Sequence, residues 1–219
     1  AECVFVGGNS QSKMAADVAK LRALAAEADR DRSQLLVFAL VTVITAATDA
    51  EAEARFADYK QYASSSGALA LMGGWTGIDF SKPELINATA ATSNAIEGAA
   101  AAFTAGGSSA HQDVESIGRA VALGGGGPVL VGGPQRIADQ LEAWAEMADL
   151  DGFNLAYAVM PETFVDVVEH LVPELQRRGL LKKDYAPGTY REKLFGRGPR
   201  LADHHPAAAS RRMWGQQPG

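Results

Sequence analysis

Two glycine-bounded segments and one strand end hold the residues of this chain best placed to do chemistry. Gly132-Gly133-Pro134 ends a short apolar run and opens a helix, a place where backbone N–H groups at a positive helix end receive an anion such as phosphate. Pro134 removes one of those donors, however, and no G-x-G-x-x-G or G-x-x-x-x-G-K-[ST] pattern accompanies it. Gly73-Gly74-Trp75-Thr76-Gly77 reads as a loop. Glycines there permit tight turns, and Trp75 and Thr76 either cover a flat ligand or pack the segment onto its neighbour. Phe5 closes the first strand as a pocket wall or as an ordinary core aromatic. Val131 and Gly132 end a later strand and line the same mouth beside Phe5, or only pack.

The histidines and serines add little. His111 follows Gly106-Gly107-Ser108-Ser109-Ala110 and acts as an acid or base only if a pocket receives it; an exposed loop histidine is the plain alternative. Ser108 and Ser109 lack a G-x-S-x-G elbow. His204 and His205 are adjacent, a spacing that rarely serves one ion, and no metal is expected. Arg177 and Arg178 read as solvated helix-end charges. No catalytic residue is identified, and the chemistry points to a pocket rather than to a protein nucleophile.

The elements that must position these residues alternate. Cys3, Val4, Phe5 and Val6 favour a strand ending at Gly7-Gly8; Met14, Val18, Leu21 and Ala25 then mark a helix through about residue 29. Residues 35–44 are continuously apolar and β-branched, which suits a strand covered on both faces. Thr48-x-x-Glu51 is a capping box, with Ala52, Phe56, Tyr59 and Ala63 on one face behind it. After a low-charge stretch rich in Gly, Ala, Ser and Thr, residues 129–131 give a short strand. Ile137, Leu141, Trp144 and Ala148 give a helix face, residues 152–158 a strand, and Phe164, Val168, Leu171 and Leu175 a last helix. Pro173 demands a kink or a restart, and Gly179 a stop.

The order argues for α/β architecture with parallel strands, divided into βα units over 1–63, an insertion over 64–128, final βα units over 129–183 and an extended tail over 184–219. Four βα units do not close an eight-stranded barrel, which usually needs about 250 residues. Ala1 opens directly on an apolar run with no initiator methionine, as in the middle of a domain, so a fragment is expected.

Composition narrows the partners. The 219 residues are 47% hydrophobic and 21% charged, and 20 Lys and Arg face 26 Asp and Glu, a net charge of −6. General attraction to nucleic acid or anionic lipid is not expected from that balance. No apolar stretch reaches the roughly 18 residues of a membrane span. One cysteine, Cys3, fits a reducing cytoplasm.

Asp151-Gly-Phe-Asn-Leu-Ala-Tyr, Pro161-x-x-Phe164-x-x-Val167 and Val172-Pro-Glu-Leu-Gln-Arg-Arg-Gly179-Leu together resemble the C-terminal signature of the luciferase-like flavin monooxygenases. The similarity is to the branch of the nitrilotriacetate, EDTA, dibenzothiophene-sulfone and dimethyl-sulfide monooxygenases. Ala1-Glu-Cys-Val-Phe-Val, Gly74-Trp-Thr-Gly-Ile-Asp-Phe-Ser81, Val131-Gly-Gly-Pro-Gln-Arg-Ile-Ala-Asp-Gln-Leu141 and the tail pattern Tyr190-Arg-Glu-Lys-Leu, Arg200-Leu and His205-Pro-Ala agree in order.

This resemblance implies the C-terminal half of a (β/α)₈ TIM-type barrel with a helical and loop insertion. It implies reduced FMN supplied by a separate NADH:FMN reductase, O₂, and a small organic substrate. Phe5, Trp75, Thr76, Val131 and Gly132 are the expected flavin and substrate pocket residues, while the grip on the FMN phosphate falls in a segment that precedes Ala1. Relatives are commonly homo-oligomers, and the other half of the barrel, or a second chain, is an expected partner. Two other readings stand beside it: a non-catalytic half-barrel interaction module, whose exposed strand edges pair with another protein, and a deazaflavin-dependent luciferase-like oxidoreductase.

Overall fold

A computed structural model describes residues 1–8, 10–77, 79–80, 114–205 and 207–210. The chain divides into two compact units, Ala1–Leu181 and Lys182–Gly219.

The first unit is built on one long strand. Strand β2 (Leu36–Thr45) is parallel to the three others among the described residues: β1 (Cys3–Val6), β3 (Val129–Gly132) and β4 (Gly152–Ala156). Residues 36–39 of β2 pair with β1, 42–45 with β3, and 38–42 with β4. A strand has only two edges, so β1 and β3 follow one another along one edge while β4 takes the other. The handover is tight: Gly8 donates its N–H to the Gly126 carbonyl at 2.7 Å, and Thr42 donates to the Pro128 carbonyl at 2.9 Å.

Alternation along β2 separates two faces. Val37, Ala39, Val41 and Val43 point to the helices and are buried. Val37 and Ala39 pack with Met14 and Val18 of α1 (Gln11–Glu27) and with Trp144 and Ala148 of α5 (Pro134–Ala148). Val41 and Val43 pack with Leu130, Ile137, Ala138, Leu141, Val167 and Leu171. The opposite face carries Phe38, Leu40, Thr42 and Ile44.

Between β2 and β3 lie α2 (Asp49–Tyr62), α3 (Ser65–Thr76) and α4 (Val114–Gly124). The Thr48 capping box forms in full: Glu51 N–H to Thr48 Oγ1 at 3.2 Å and Thr48 N–H to Glu51 Oε2 at 3.0 Å. Gly73, Gly74, Trp75 and Thr76 stand in the last turn of α3 and Gly77 caps it in the left-handed conformation, so the expected loop is a helix end. Packing overrides the glycines' low helix propensity. A side chain at Gly118 of α4 would stand 2.8 Å from the Ser65 carbonyl, which shows how closely the two helices approach.

The closing helix is interrupted as Pro173 requires. Helix α6 (Glu162–Asp166) passes into a π-helical turn (Val167–Leu171) and restarts as α7 (Val172–Arg177) with Pro173 in its first turn. Pro173 has no N–H to give to the preceding turn, and its ring crowds the carbonyl four residues back. Gly179, at φ 77°, ends the helix with a Schellman pair, Leu180 N–H to Leu175 O at 2.9 Å and Gly179 N–H to Gln176 O at 3.2 Å.

Arg178 is half-buried and not a solvated charge. It donates to Glu174 and Asp139 at 2.7 and 2.6 Å and to Glu142 at 2.5 Å, tying α7 to α5. The second unit contains α8 (Tyr190–Phe195), opened by a Thr189/Glu192 capping box and closed by Gly196. No helix among the described residues is long and apolar enough to cross a membrane.

Candidate functional site

The C-terminal ends of the strands carry Thr45, Gly132 and Ala156, followed by the turns into α2, α5 and α6. The first two turns are bound together. Asp49, in the first turn of α2, accepts the Gly133 N–H at 2.6 Å, and Arg136 of α5 donates to Glu53 at 2.8 Å. Gly132 is glycine because a Cβ would stand 2.8 Å from Arg136 Cδ and 3.0 Å from Asp49 Oδ1. The helix N-terminus at Gly132-Gly133-Pro134 therefore already holds an anion, the carboxylate of Asp49, and is not a phosphate cradle.

A second contact crosses the same end. Arg55 of α2 donates to the Thr45 carbonyl at 3.1 Å and to the buried Asp166 carboxylate of α6. Tyr59 donates to Glu162 at 3.1 Å, and burial first, then the Glu162 carboxylate, pushes its hydroxyl up to about 12. Tyr59 is thus a fixed donor at neutral pH.

Opposite, at the strand starts, Asp151 extends the ladder between β2 and β4. It accepts the Val37 N–H at 2.7 Å and Arg22 at 2.7 Å, while its other oxygen accepts Arg32 at 2.9 Å. Asp149 joins through Arg22 and Arg32, and the Arg32 hydrogen bond first among the causes holds its carboxyl below the usual range. The Asp151 of the sequence signature is a structural staple at the end away from the strand termini.

Phe5 projects from the helix-free face, 68% exposed, its ring 6.0 Å from that of Phe38. Val131 lies on the same face, paired with Ile44. Phe5 pairs with Phe38, six positions earlier on β2, so the two are separated by roughly 20 Å at about 3.3 Å per residue. They share a wall but not a level: Val131 and Gly132 do not stand beside Phe5. The cause is the handover on one edge, where β3 begins only after β1 has left.

Trp75 is elsewhere. It lines a cleft of about 210 Å³ with Ala68, Leu71, Met72, Val121 and Ala122, all from α3 and α4, and neither Phe5 nor Val131 reaches it. Thr76 ends α3. His111, Ser108 and Ser109 lie outside the described residues.

The wall also contains polar groups that the sequence pattern did not single out. Asn154 pairs with Leu40 on β4, on the face of Phe38, and is exposed. Thr42, next along that face, is 1% exposed, with a hydroxyl that has no partner among the described residues. Asn within an otherwise apolar strand was the available signal. Asp49, Arg55 and Asp166 were not legible, because their partners lie 84 to 111 residues away.

The sequence profile of the luciferase-like monooxygenases matches residues 1–150. The chain is 41% identical over 213 residues to a dimethyl-sulfide monooxygenase of Hyphomicrobium sulfonivorans, covering 96% of this chain and 44% of that protein. It is 40% identical over 215 residues to a long-chain alkane monooxygenase of Geobacillus thermodenitrificans, covering 97% and 44%. A solved riboflavin lyase, with modified FMN and riboflavin, superimposes with a TM-score of 0.83 at 29% identity over 95% of this chain and 46% of its own. The chain spans less than half the length of these relatives.

Proposed function

Because the chain belongs to the luciferase-like monooxygenase family, we propose that it is the C-terminal part of a flavin-dependent monooxygenase. Its parallel strands form part of the wall of a TIM-type barrel, and the helix-free face is the wall's inner side. In this reading FMN, reduced by a separate NADH:FMN reductase, and O₂ act on a small organic substrate in a cytoplasmic enzyme. The flavin supplies oxygen activation when bound; this chain supplies an apolar surface and fixed polar groups around it.

The observation that carries the reading is that inner face. Phe5 and Phe38 present rings to it, Leu40 and Val131 extend it, and Asn154 places a polar side chain in it, while Thr42 and Ile44 on the same side of β2 are buried within the chain. Such a wall fits a flat, largely apolar ring with a polar edge, and it excludes water from one side of the ring. The phosphate of FMN finds no cradle at Gly133, whose N–H is taken by Asp49. That agrees with a phosphate grip in the other half of the barrel. The outer edges of β1 and β4, unpaired among the described residues, and the exposed Phe5 support the same division of labour: the inner face is completed by the other half. Assembly into a homo-oligomer belongs to the same proposal.

The test is turnover by a polypeptide of the relatives' full length. With NADH, a flavin reductase, FMN and ¹⁸O₂, and with dimethyl sulfide and a long-chain alkane offered separately, one labelled oxygen atom should enter an organic product. Hydride transfer between a deazaflavin and an organic substrate, with no oxygen incorporated from FMN, would transfer the reading to that cofactor. Absence of flavin binding in the full-length protein would sink it and leave the interaction-module reading.

A further inference from the structure

We propose that Asn154 reads the hydrogen-bonding edge of the bound flavin, pairing its carboxamide with the ring's imide; this rests on the flavin reading above. The inner face of β4 is formed by Gly152, Asn154 and Ala156, opposite Phe38, Leu40 and Thr42. Gly152 carries no side chain, and a Cβ there would stand 3.1 Å from the Phe38 ring. Ala156 carries a methyl group. Asn154 is therefore the one functional group that β4 projects toward the lumen, with the Phe38 ring over Gly152 on one side of it and only the Ala156 methyl on the other.

Its orientation is locked by its neighbours. Phe153 and Leu155 pack against the helix-side core clusters, and a slip of one residue would drive the carboxamide into them. Parallel sheets covered on both faces favour Val, Ile and Leu, and Asn is among the residues depleted in strands. Among the described residues the Asn154 side chain makes no hydrogen bond and it is exposed, so local structure does not account for its presence. Leu40 stands opposite it on β2, and the Phe38 and Phe5 rings continue the apolar surface along β2 and onto β1.

The carboxamide carries an acceptor oxygen and an N–H donor side by side in one plane. A flavin's pyrimidine ring offers the complement, an imide N–H beside a carbonyl. Two coplanar hydrogen bonds result, in a site where water is displaced and each bond is strengthened.

The experiment uses the full-length protein with oxidised FMN and with FMN methylated at the imide nitrogen, each titrated by quenching of flavin fluorescence. The unmodified protein should prefer FMN by about tenfold, the value of one well-made hydrogen bond. Asn154→Leu should bind the two flavins equally. Asn154→Ala, which removes the carboxamide without adding bulk, carries the same expectation and serves if the leucine variant does not fold. Retention of the tenfold preference in the folded variants would overturn the assignment while leaving the flavin reading intact. Lowered melting temperature with an unchanged preference would overturn it too, because Asn154 would then pair with the rest of the barrel. If the unmodified protein binds neither flavin, the reading and the inference fall together.

Discussion

Asp49 Oδ1 and the backbone N–H of Gly133 stand 2.6 Å apart, 84 positions apart in the chain. This bond joins the turn after β2 to the turn after β3 and occupies the positive end of α5 with a charge from the protein itself. Asp49→Ala should cost about 1.5 kcal/mol, the lower end for a hydrogen bond to a charged group because the site is partly exposed. Amide exchange at 133–136 should accelerate with it, and an unchanged exchange rate at Gly133 would count against the contact. Added phosphate should restore neither, since the turn is shaped around a carboxylate held by α2.

The opposite end of the sheet is more sensitive. Asp151 receives Val37 N–H and Arg22 in a setting where both side chains are mostly buried, 13% and 14% exposed. Asp151→Ala leaves a strand N–H without its acceptor and a buried guanidinium short of a partner, a loss of about 3 kcal/mol. Arg22→Ala should cost less, because Asp151 retains Val37 and Arg32. A double-mutant cycle in urea should show the two costs to be non-additive; additivity would mean that the residues act separately.

Glu174 sets an acid limit. Arg177 first, then Arg178, holds its carboxyl down at about 2, below the roughly 4.3 of an unfolded glutamate. The folded state therefore gains from the ionised form. That gain is complete above about pH 4.3 and fades as pH falls toward 2. Glu174→Gln should melt below the unmodified protein at pH 7, and the gap should close between about pH 4 and 2. A gap that stays constant across that range would show that the ion cluster joining α7 to α5 contributes nothing.

What could be read from the sequence was local. The apolar run of β2, the capping box at Thr48 and the break at Pro173 each depend on residues within one turn or one strand, and each stands in the structure as expected. The family resemblance likewise rested on contiguous motifs, and the profile and relatives bear it out. Two expectations failed for a shared reason. The glycines around Trp75 suggested a loop, but α3 runs on to its cap at Gly77, with Trp75 lining one cleft with Val121 and Ala122 of α4. Phe5 and Val131 both end strands, yet the edge that β1 and β3 share separates them along β2, and strand order is not written in strand composition. Arg178 looked like a surface charge, and Arg22 and Arg55 were not singled out, because their acidic partners are distant in sequence.

Phe5 and Trp75 were expected in one pocket, and their different surroundings now predict different outcomes. Phe5 is exposed beside Phe38, and under the proposed function removing its ring takes away a surface that the flavin covers. In the full-length protein Phe5→Ala should weaken FMN binding by about tenfold, the loss of roughly 50 Å² of apolar contact at 25 cal/mol per Å². Trp75 instead closes a cleft between α3 and α4, at 42% exposure. Trp75→Ala should loosen that helix pair at a cost of about 1–2 kcal/mol, less than a fully buried tryptophan because part of the ring is already in water. Flavin affinity should stay within about twofold, under half of the 1.4 kcal/mol that a tenfold change requires. Fluorescence titration and thermal melting of the two variants decide the matter. If Trp75→Ala loses flavin binding and Phe5→Ala does not, the cleft between α3 and α4, and not the inner face of the sheet, is where the ligand lies.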